Sequence, residues 1–336
     1  MWPHYMVQVD GADITGRISS RLMTLSVTLK PGKNSDTFEM LVDDTDDLIE
    51  PPRKGAKVKI WMGYIETGLT YMGEYTVDDV GVSITPQELK ISGKAADMRA
   101  TAKSQRTRHF DNKTLKDVYG QIAKDEGLKL AIDATIGAMK LPYEAQTEES
   151  NLHLMTRLGE KYGAIAKVGD GTLSVTKRGS GTTATGKAMP TITVTRQDIK
   201  KGNGKLKDRP RFGSVSASWH NQAKAKKQEV KESQGEGPNY SLRHPFQTED
   251  EARAACKAKL AEMQRAEADL SYSTIGDVRY DAETKLKLID VSRKLDGDWI
   301  VKQVRHTLRG GSGGFETQVE AETPGQRKET KSGAKK

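Results

Sequence analysis

Residues 55–64, GAKVKIWMGY, and residues 283–292, ETKLKLIDVS, carry the pattern that decides the fold. Each stretch alternates polar and apolar residues, which is the period of a β-strand with one buried face. GLTYMGEYTVDDV and then ELKISGKAAD follow the first stretch, whereas DGDWIVKQVRHTL and then FETQVEAE follow the second. Both regions therefore predict three consecutive antiparallel strands.

The spacing of these strands also repeats along the chain. Val58 lies 33 residues before Ile91, and Leu286 lies 33 residues before Val319. Such a repeat is typical of an internal duplication, although any three strands of this length resemble one another. We predict a mixed, β-rich α+β fold with two similar antiparallel β-barrel domains and an α/β insert between them.

The predicted insert contains two units in which a helix is followed by a glycine and a strand. The first helix is capped by Thr114 and stops at Gly127, and the second is capped by Ser150 and stops at Gly163. A third, longer helix is predicted at about 248–267. The predicted domains are a first β-barrel at 1–97, the insert at 98–185, a second β-barrel containing the long helix at 186–323, and a disordered basic tail at 324–336.

Composition excludes several classes of site. The 336 residues include one cysteine and no apolar run of the roughly 18–20 residues needed to cross a membrane, so we expect neither a disulfide nor membrane insertion. The N-terminus lacks the pattern of a secretory signal, which indicates a protein made and folded in a cytoplasm. The histidines show no paired helical spacing, so we expect no metal and no cofactor. They are His4, His109, His153, His220, His244 and His306.

A glycine-rich stretch at 179–190, GSGTTATGKAMP, matches part of a phosphate-binding loop. Gly181, Gly186 and Lys187 have the required spacing, but Ala188 stands where the motif needs a serine or threonine for magnesium. The motif also needs a helix after the lysine, whereas Pro190 and the β-branched residues beyond it favour a strand. We therefore predict a loop at 179–188 that separates two domains.

No other motif predicts catalysis, and we expect no catalytic residues and no enzyme activity. The aspartates in LVDDTDDLIEPP, at 41–52, favour a turn over a metal site because the glycine and glutamate of an EF-hand loop are missing. Cys256 lies on the apolar stripe of the long helix, which indicates a buried thiol rather than a nucleophile.

Positive charge is concentrated in one region of a chain whose net charge is +8. Residues 200–232 contain ten Lys and Arg residues against three Asp and Glu residues. Such a region contacts nucleic acid, an acidic partner or only solvent, and it lacks the interleaved aromatic residues that stack on bases. A smaller basic group, Lys103, Arg106 and Arg108, has the same alternatives.

The order of many short segments resembles the late-control D family, the baseplate hub proteins of contractile phage tails and phage-tail-like particles. The resemblance covers roughly residues 4–322. It rests on VQVDGADIT at 7–15, SDTFEMLVDDTDDLIEPPRKGAKVKIWMGY at 35–64, LHLMTRLGEKYGAIAKV at 152–168 and YSLRHPFQTEDEARAACKAKL at 240–260.

The resemblance implies a structural protein of the virion tail baseplate, assembled in the bacterial host cytoplasm. It implies a homotrimer in which six β-barrels match the hexameric tail tube above and the trimeric central spike below. Tape-measure protein and baseplate wedge proteins are further implied partners, and DNA would only pass through the channel. The chain stops after the second β region, so we expect spike and lytic activities to belong to separate proteins.

Two other functions stay open at this point. The α/β insert at 98–185 has the size of a small glycan-binding module, so the chain could bind or degrade peptidoglycan in the cell wall. The basic stretch at 200–232 could bind nucleic acid through its phosphates. The sequence identifies no subunit or partner interface by residue.

Overall fold

The structure is a computed structural model that describes residues 1–32, 35–95, 104–207, 212–221, 225–265, 267–311 and 313–324. No helix in these ranges combines the length and apolar character needed to cross a membrane. The helices are α1 Thr15–Ile18, α2 Leu115–Glu126, α3 Ala134–Gly137, α4 Asn151–Tyr162 and α5 Glu249–Arg265. The strands are β1 Pro3–Val9, β2 Ala12–Asp13, β3 Leu22–Leu29, β4 Thr37–Asp43, β5 Lys57–Tyr64, β6 Gly68–Ile84, β7 Gln87–Lys94, β8 Gln105–Thr114, β9 Lys129–Ile132, β10 Lys140–Ser150, β11 Ala164–Gly169, β12 Thr172–Lys177, β13 Ile192–Val194, β14 Lys201–Leu206, β15 Ser214–Asn221, β16 Lys226–Ser233, β17 Asn239–Ser241, β18 Ala268–Ile275, β19 Lys285–Leu288, β20 Gly297–Arg309 and β21 Gly314–Glu322.

Strands from both ends of the chain form one 13-stranded main sheet. Its order is β14-β18-β21-β20-β3-β4-β7-β6-β5-β1-β2, with β19 also beside β20 and β13 beside β19. In the described ranges this order has open ends at β14, β2 and β13, so the predicted closed barrels are not confirmed. The prediction of a β-rich fold with a few helices is confirmed.

The main sheet repeats one order of neighbouring strands. We call β1–β7 the N-terminal half, and β13, β14 and β18–β21 the C-terminal half. The order β3-β4-β7-β6-β5-β1 in the first corresponds to β14-β18-β21-β20-β19-β13 in the second. A short helical turn precedes β3 and β14 alike, α1 in one half and a 3-10 turn at Arg196–Asp198 in the other. The halves differ at one pair, since β1 is antiparallel to β5 whereas β13 is parallel to β19.

A β-bulge at the same place in both halves strengthens the correspondence. Each half contains one long strand, β6 or β20. The ladder between β6 and β7 is interrupted at one extra residue, Asp78, and the ladder between β20 and β21 is interrupted at Lys302. Each extra residue comes three positions after a buried aromatic residue, which is Tyr75 opposite β5 in one half and Trp299 opposite β19 in the other. A bulge bends a strand and increases its twist. Two independent features, strand order and bulge position, therefore indicate a duplication.

The two halves are joined by one antiparallel ladder between β3 and β20. Thr24–Leu29 pair with Val304–Arg309, and the Ser26 and Thr307 hydroxyls share a hydrogen bond of 3.1 Å. Leu25 and Val27 are fully buried, and burying such side chains contributes about 1.5–3 kcal/mol each. The buried apolar residues of both halves belong to one cluster. The main sheet therefore has a single shared core.

The segment from β8 to β12 forms a separate unit, the first insertion. Its helices α2 and α4 pack on two small sheets around their own apolar cluster. The predicted caps are confirmed, since the Asp117 amide donates to the Thr114 hydroxyl at 3.2 Å, and α2 ends at Gly127 with φ +68°. Gly163 ends α4 in the same way, with φ +65°.

A second insertion, β15–β17 with α5, lies within the C-terminal half. Leu206 and Ala268 are direct cross-strand partners in β14 and β18, so the chain leaves and re-enters the main sheet at neighbouring positions. Cys256 and Leu260 of α5 pack with Val215 and Val230 in a third apolar cluster. In the predicted domain organisation this helix belongs to the second β domain. The predicted domain boundaries stay a prediction.

The two insertions contact each other through α4 and α5. The Tyr162 hydroxyl donates to the buried Glu251 carboxylate at 3.3 Å, and the Lys161 ammonium forms an ion pair with the same group. Glu251 also accepts from the Gln247 amide at 3.0 Å. The buried Glu251 carboxylate therefore caps the start of α5 and also holds this helix against α4.

His306 lies at the ladder that joins the halves. It is fully buried in β20 opposite Val27, and its ring nitrogens contact the Thr317 hydroxyl at 3.0 Å and the Tyr280 carbonyl oxygen at 3.1 Å. Burial lowers its pKa to about 4, although the Tyr280 carbonyl and the carboxylates of Asp281 and Asp277 act in the opposite direction. The imidazole is therefore neutral at pH 7.

We expect acid to destabilise the wild-type protein more than the variant His306→Gln. Between pH 6.5 and about 4 the unfolded chain binds a proton at this histidine and the folded chain does not, so stability falls as the pH falls. The difference should reach about 2 kcal/mol at pH 5. Urea unfolding at pH 7 and pH 5 measures it, with His220→Gln as a control because His220 is exposed. An unchanged pH dependence in His306→Gln would contradict the assignment.

Candidate assembly interface

The glycine-rich segment 179–188 is a loop that packs on the C-terminal half. It contains no helix or strand apart from an isolated bridge between Thr182 and Ala188, as predicted. The Gly179 amide donates to the Glu283 carboxylate at 2.6 Å, and burial raises the pKa of that carboxyl. Strand β13 follows where a phosphate site needs a helix. The geometry is therefore that of a packed connector rather than of a nucleotide site.

The aspartates at 43–47 stabilise a turn. Asp43 accepts from the Thr45 amide at 3.0 Å, and Asp44 accepts from the Ile49 amide at 3.0 Å. Asp46 forms a bidentate ion pair with Arg21. These contacts account for three of the four carboxylates, and the turn interpretation agrees with them. Nowhere in the described ranges do three His, Cys, Asp or Glu side chains group so as to hold a metal ion.

Cys256 is buried, as its place on the apolar stripe predicts. Burial raises the pKa of its thiol to about 11, so little thiolate forms at pH 7. Every histidine except His306 is exposed. The six histidines could not be distinguished from the sequence alone, because the burial of His306 depends on strand pairing that leaves no local signal.

The charged side chains of the first insertion bind one another. Arg108 donates to Asp125 at 2.6 Å and to Gln146 at 2.7 Å. A shallow cleft of about 540 Å³ is lined by Glu149, His153 and Arg157, and Arg157 donates to Glu149 at 2.8 Å. Burial acts to raise the pKa of Glu149, but Arg157 and His153 lower it more. The charged side chains that line this cleft are therefore already paired with one another. Lys103 lies outside the described residues.

The basic stretch 200–232 does not form one surface. Its first part lies along β14 in the main sheet, and its last part lies in β15 and β16 of the second insertion. Lys207 forms an ion pair with Asp269, and Glu232 pairs with Arg253 at 2.9 Å. Residues 208–211 and 222–224 lie outside the described residues. The charge that the sequence shows as one run is therefore divided between two units.

One edge of the main sheet is open beside the second part of β6. Residues 68–76 of this strand pair with β5, and residues 76–84 pair with β7 on one side only, as far as the described chain extends. Val82 is 68% exposed and Ile84 is 84% exposed on this edge strand. Apolar residues at an unpaired strand edge are a template for pairing with another chain.

A second open edge is formed by β14. This strand pairs with β18 and, in the part of the chain that the structure describes, with no strand on its other side. All six of its residues are exposed, and Leu206 is 57% exposed. The sequence analysis identified neither edge. The alternation VGVSI at 80–84 is a local signal, but only the strand order shows that no neighbour covers it.

Comparisons with known proteins agree with this fold. The probable baseplate hub protein of Escherichia phage P2 is 30% identical over 95% of this chain and 93% of its own length. The crystal structure of the 43 kDa tail protein of prophage MuSo2 from Shewanella oneidensis superposes with a TM-score of 0.72 at 16% identity, over 96% of this chain and 99% of that one. The tail protein from Neisseria meningitidis MC58 superposes with a TM-score of 0.69 at 15% identity, over 96% and 97% of the two chains.

Residues 17–312 match the family described as phage tail baseplate hub (GPD). This match covers both insertions and the main sheet except β1, β2 and β21, and it agrees with the family that the order of short segments resembles. The chain therefore belongs to the phage tail baseplate hub family.

Proposed function

We propose that the chain is a homotrimeric hub that joins the hexameric tail tube to the trimeric central spike and is needed for tail assembly. As a member of its family it is a structural protein of the virion tail baseplate. The repeat of two similar halves within one chain is the observation that carries the trimer and the adaptor role.

The argument for a trimer is one of symmetry. A hexameric tube presents the same surface six times, and a ring of six similar units matches it. Each chain supplies two such units if each half of the main sheet acts as one barrel-like unit. Three chains then supply six units and still have threefold symmetry, which suits a trimeric spike.

In the proposed trimer, the insertions follow threefold symmetry whereas the repeated sheet motif approximates sixfold symmetry. The first insertion lies between the halves, and the second lies only in the C-terminal half, between β14 and β18. Each therefore occurs three times in a trimer, whereas the sheet motif occurs six times. We propose that the repeated sheets face the tube and surround a channel for tape-measure protein and DNA, and that the insertions contact the spike and baseplate wedge proteins.

The role we propose is non-enzymatic. Three groups that could act as nucleophile or base are not free to do so, since Cys256 and His306 are buried and Glu149 is paired with Arg157. The binding of cell wall through the first insertion is supported by no particular contact, because the charged groups of its cleft bind one another.

The purified protein should sediment as a trimer, and electron micrographs should show rings with six similar lobes. The physical reason is that the open edges of the main sheet favour pairing with a further copy of the chain. Sedimentation velocity over a range of protein concentrations measures the mass. A monomer at every concentration, with no rings in particles, would contradict the trimer.

The variant Lys187→Ala should assemble as the wild type does. Lys187 is exposed, and the loop is held by its backbone, since the Thr183 amide donates to the Lys187 carbonyl oxygen at 2.8 Å. The same sedimentation measurement and a complementation assay for tail assembly test this. Loss of tails with Lys187→Ala would show that the lysine binds a partner after all.

A further inference from the structure

The two strands of the ladder that joins the halves each have an equivalent strand in the other half, and these two equivalent strands do not pair with each other. The ladder is formed by residues 24–29 of β3 and residues 304–309 of β20. In the repeated order of strands, β14 occupies the place of β3, and β6 occupies the place of β20. Both strands have an open edge in the described part of the chain, so the same interaction is missing once per chain.

The correspondence fixes which residues of β6 are equivalent to the joining residues of β20. Trp299 lies opposite β19 as Tyr75 lies opposite β5, and the bulge follows three residues later in both. Residue numbers in β20 therefore exceed those in β6 by 224 on both sides of the bulge. Residues 304–309 of β20 correspond to residues 80–85, of which 80–84 belong to the open part of β6.

The same comparison aligns β14 with β3. Leu25 pairs with Met40 in β4, and Met40 pairs with Ile91. In the other half, Gly202 pairs with Tyr272, and Tyr272 pairs with Val319, the equivalent of Ile91. Gly202 therefore corresponds to Leu25, and residues 24–29 correspond to 201–206. This range coincides with the whole of β14.

We propose that β14 of one protomer pairs with the open edge of β6 in the neighbouring protomer as an antiparallel strand. The pairing repeats between chains the β3–β20 ladder within the chain, and it rests on the proposed trimer. Transferring the register places Val80 opposite Leu206, Val82 opposite Gly204, and Ile84 opposite Gly202. Each chain offers one edge of each kind, so the contact is head-to-tail and closes into a ring.

Apolar side chains lie on matching faces in this register. A Cβ atom on Gly204 would lie 2.5 Å from a methyl carbon of Leu295, so Leu295 covers the face of β14 on which Gly202 and Leu206 also lie. Val82 and Ile84, exposed in the single chain, would extend this apolar layer beside the two glycines. Their pairing removes apolar surface from water and satisfies the backbone groups of both edges.

Charge also favours this partner over an unrelated strand. Residues 200–207 contain four lysines and no acidic residue, whereas residues 77–88 contain three acidic residues and no basic one. Opposite charges on facing strands attract, and like charges at an edge prevent a strand from pairing with its own copy. The two edges are therefore complementary to each other and not to themselves.

Single-cysteine variants test the register directly. Ser83 and Asn203 lie opposite each other in the proposed ladder, on the face away from Leu295, and directly opposed strand residues have the separation that a disulfide needs. Ser83→Cys and Asn203→Cys are co-expressed as separate full-length chains and then oxidised, so any disulfide between these positions joins two chains. Val82→Cys with Asn203→Cys is the matched control, because a shift of one residue places the two side chains on opposite faces. The native Cys256 is buried and should not react.

We expect covalent dimers from the Ser83→Cys and Asn203→Cys mixture and none from the control. The double variant Ser83→Cys/Asn203→Cys should then give a covalent trimer under denaturing conditions. A ladder of longer covalent chains would support the strand pairing and overturn the threefold closure. A wild-type trimer whose matched cysteines stay unlinked would overturn the strand pairing alone, and a wild-type monomer would overturn both proposals.

A second variant tests the apolar layer without depending on cysteines. Val82→Lys/Ile84→Lys should leave the far-ultraviolet circular dichroism of the chain unchanged, because both residues are exposed in a single copy. It should convert the trimer largely to monomer in sedimentation velocity. Ile65→Lys is the control, since Ile65 is 66% exposed and follows Tyr64, which pairs with Gly68 at the end of β6 opposite to Val82 and Ile84. Equal trimer content in both variants would contradict the proposal.

Discussion

The antiparallel ladder between β3 and β20 is the interaction on which the rest of the structure depends. It connects strands that are about as far apart in the sequence as the chain allows, and it merges the apolar faces of two similar halves into one core. Closing so long a loop costs more conformational entropy than a local hairpin does, but this cost rises only slowly with length. Leu25 and His306 are fully buried on this ladder, so residues far apart in the sequence share part of the buried core.

The two insertions depend on that sheet and also support each other. Each has its own apolar cluster, yet α4 and α5 are held together by Tyr162, Lys161 and the buried Glu251. Both insertions leave a sheet whose two halves repeat one strand order. Neither insertion is itself repeated, so the two halves of the chain are no longer equivalent. This difference between the halves is supplied by added segments rather than by a change in the order of the repeated strands.

The sequence predicted the features that have local signals. The strand at 57–64, the capping residues Thr114 and Ser150, and the burial of Cys256 follow from period and neighbours, and the structure has them. The resemblance to baseplate hub proteins came from the order of such segments and is confirmed by the family match. The joining ladder could not be predicted, because nothing near Thr24 specifies that its partner is Arg309. For the same reason the sequence did not separate the second insertion from the C-terminal half or identify the exposed edge at Val82 and Ile84.

The pairing of Leu206 with Ala268 has a consequence for how this architecture can diversify. Seen from the main sheet, the whole segment from 207 to 267 is the loop of a β-hairpin, and the equivalent connection in the other half, between β3 and β4, is only a few residues long. The hairpin is therefore an attachment point, where modules of different size can be exchanged while the ends of the flanking strands keep their distance. A module inserted at this point can change in size without altering the pairing of the main sheet.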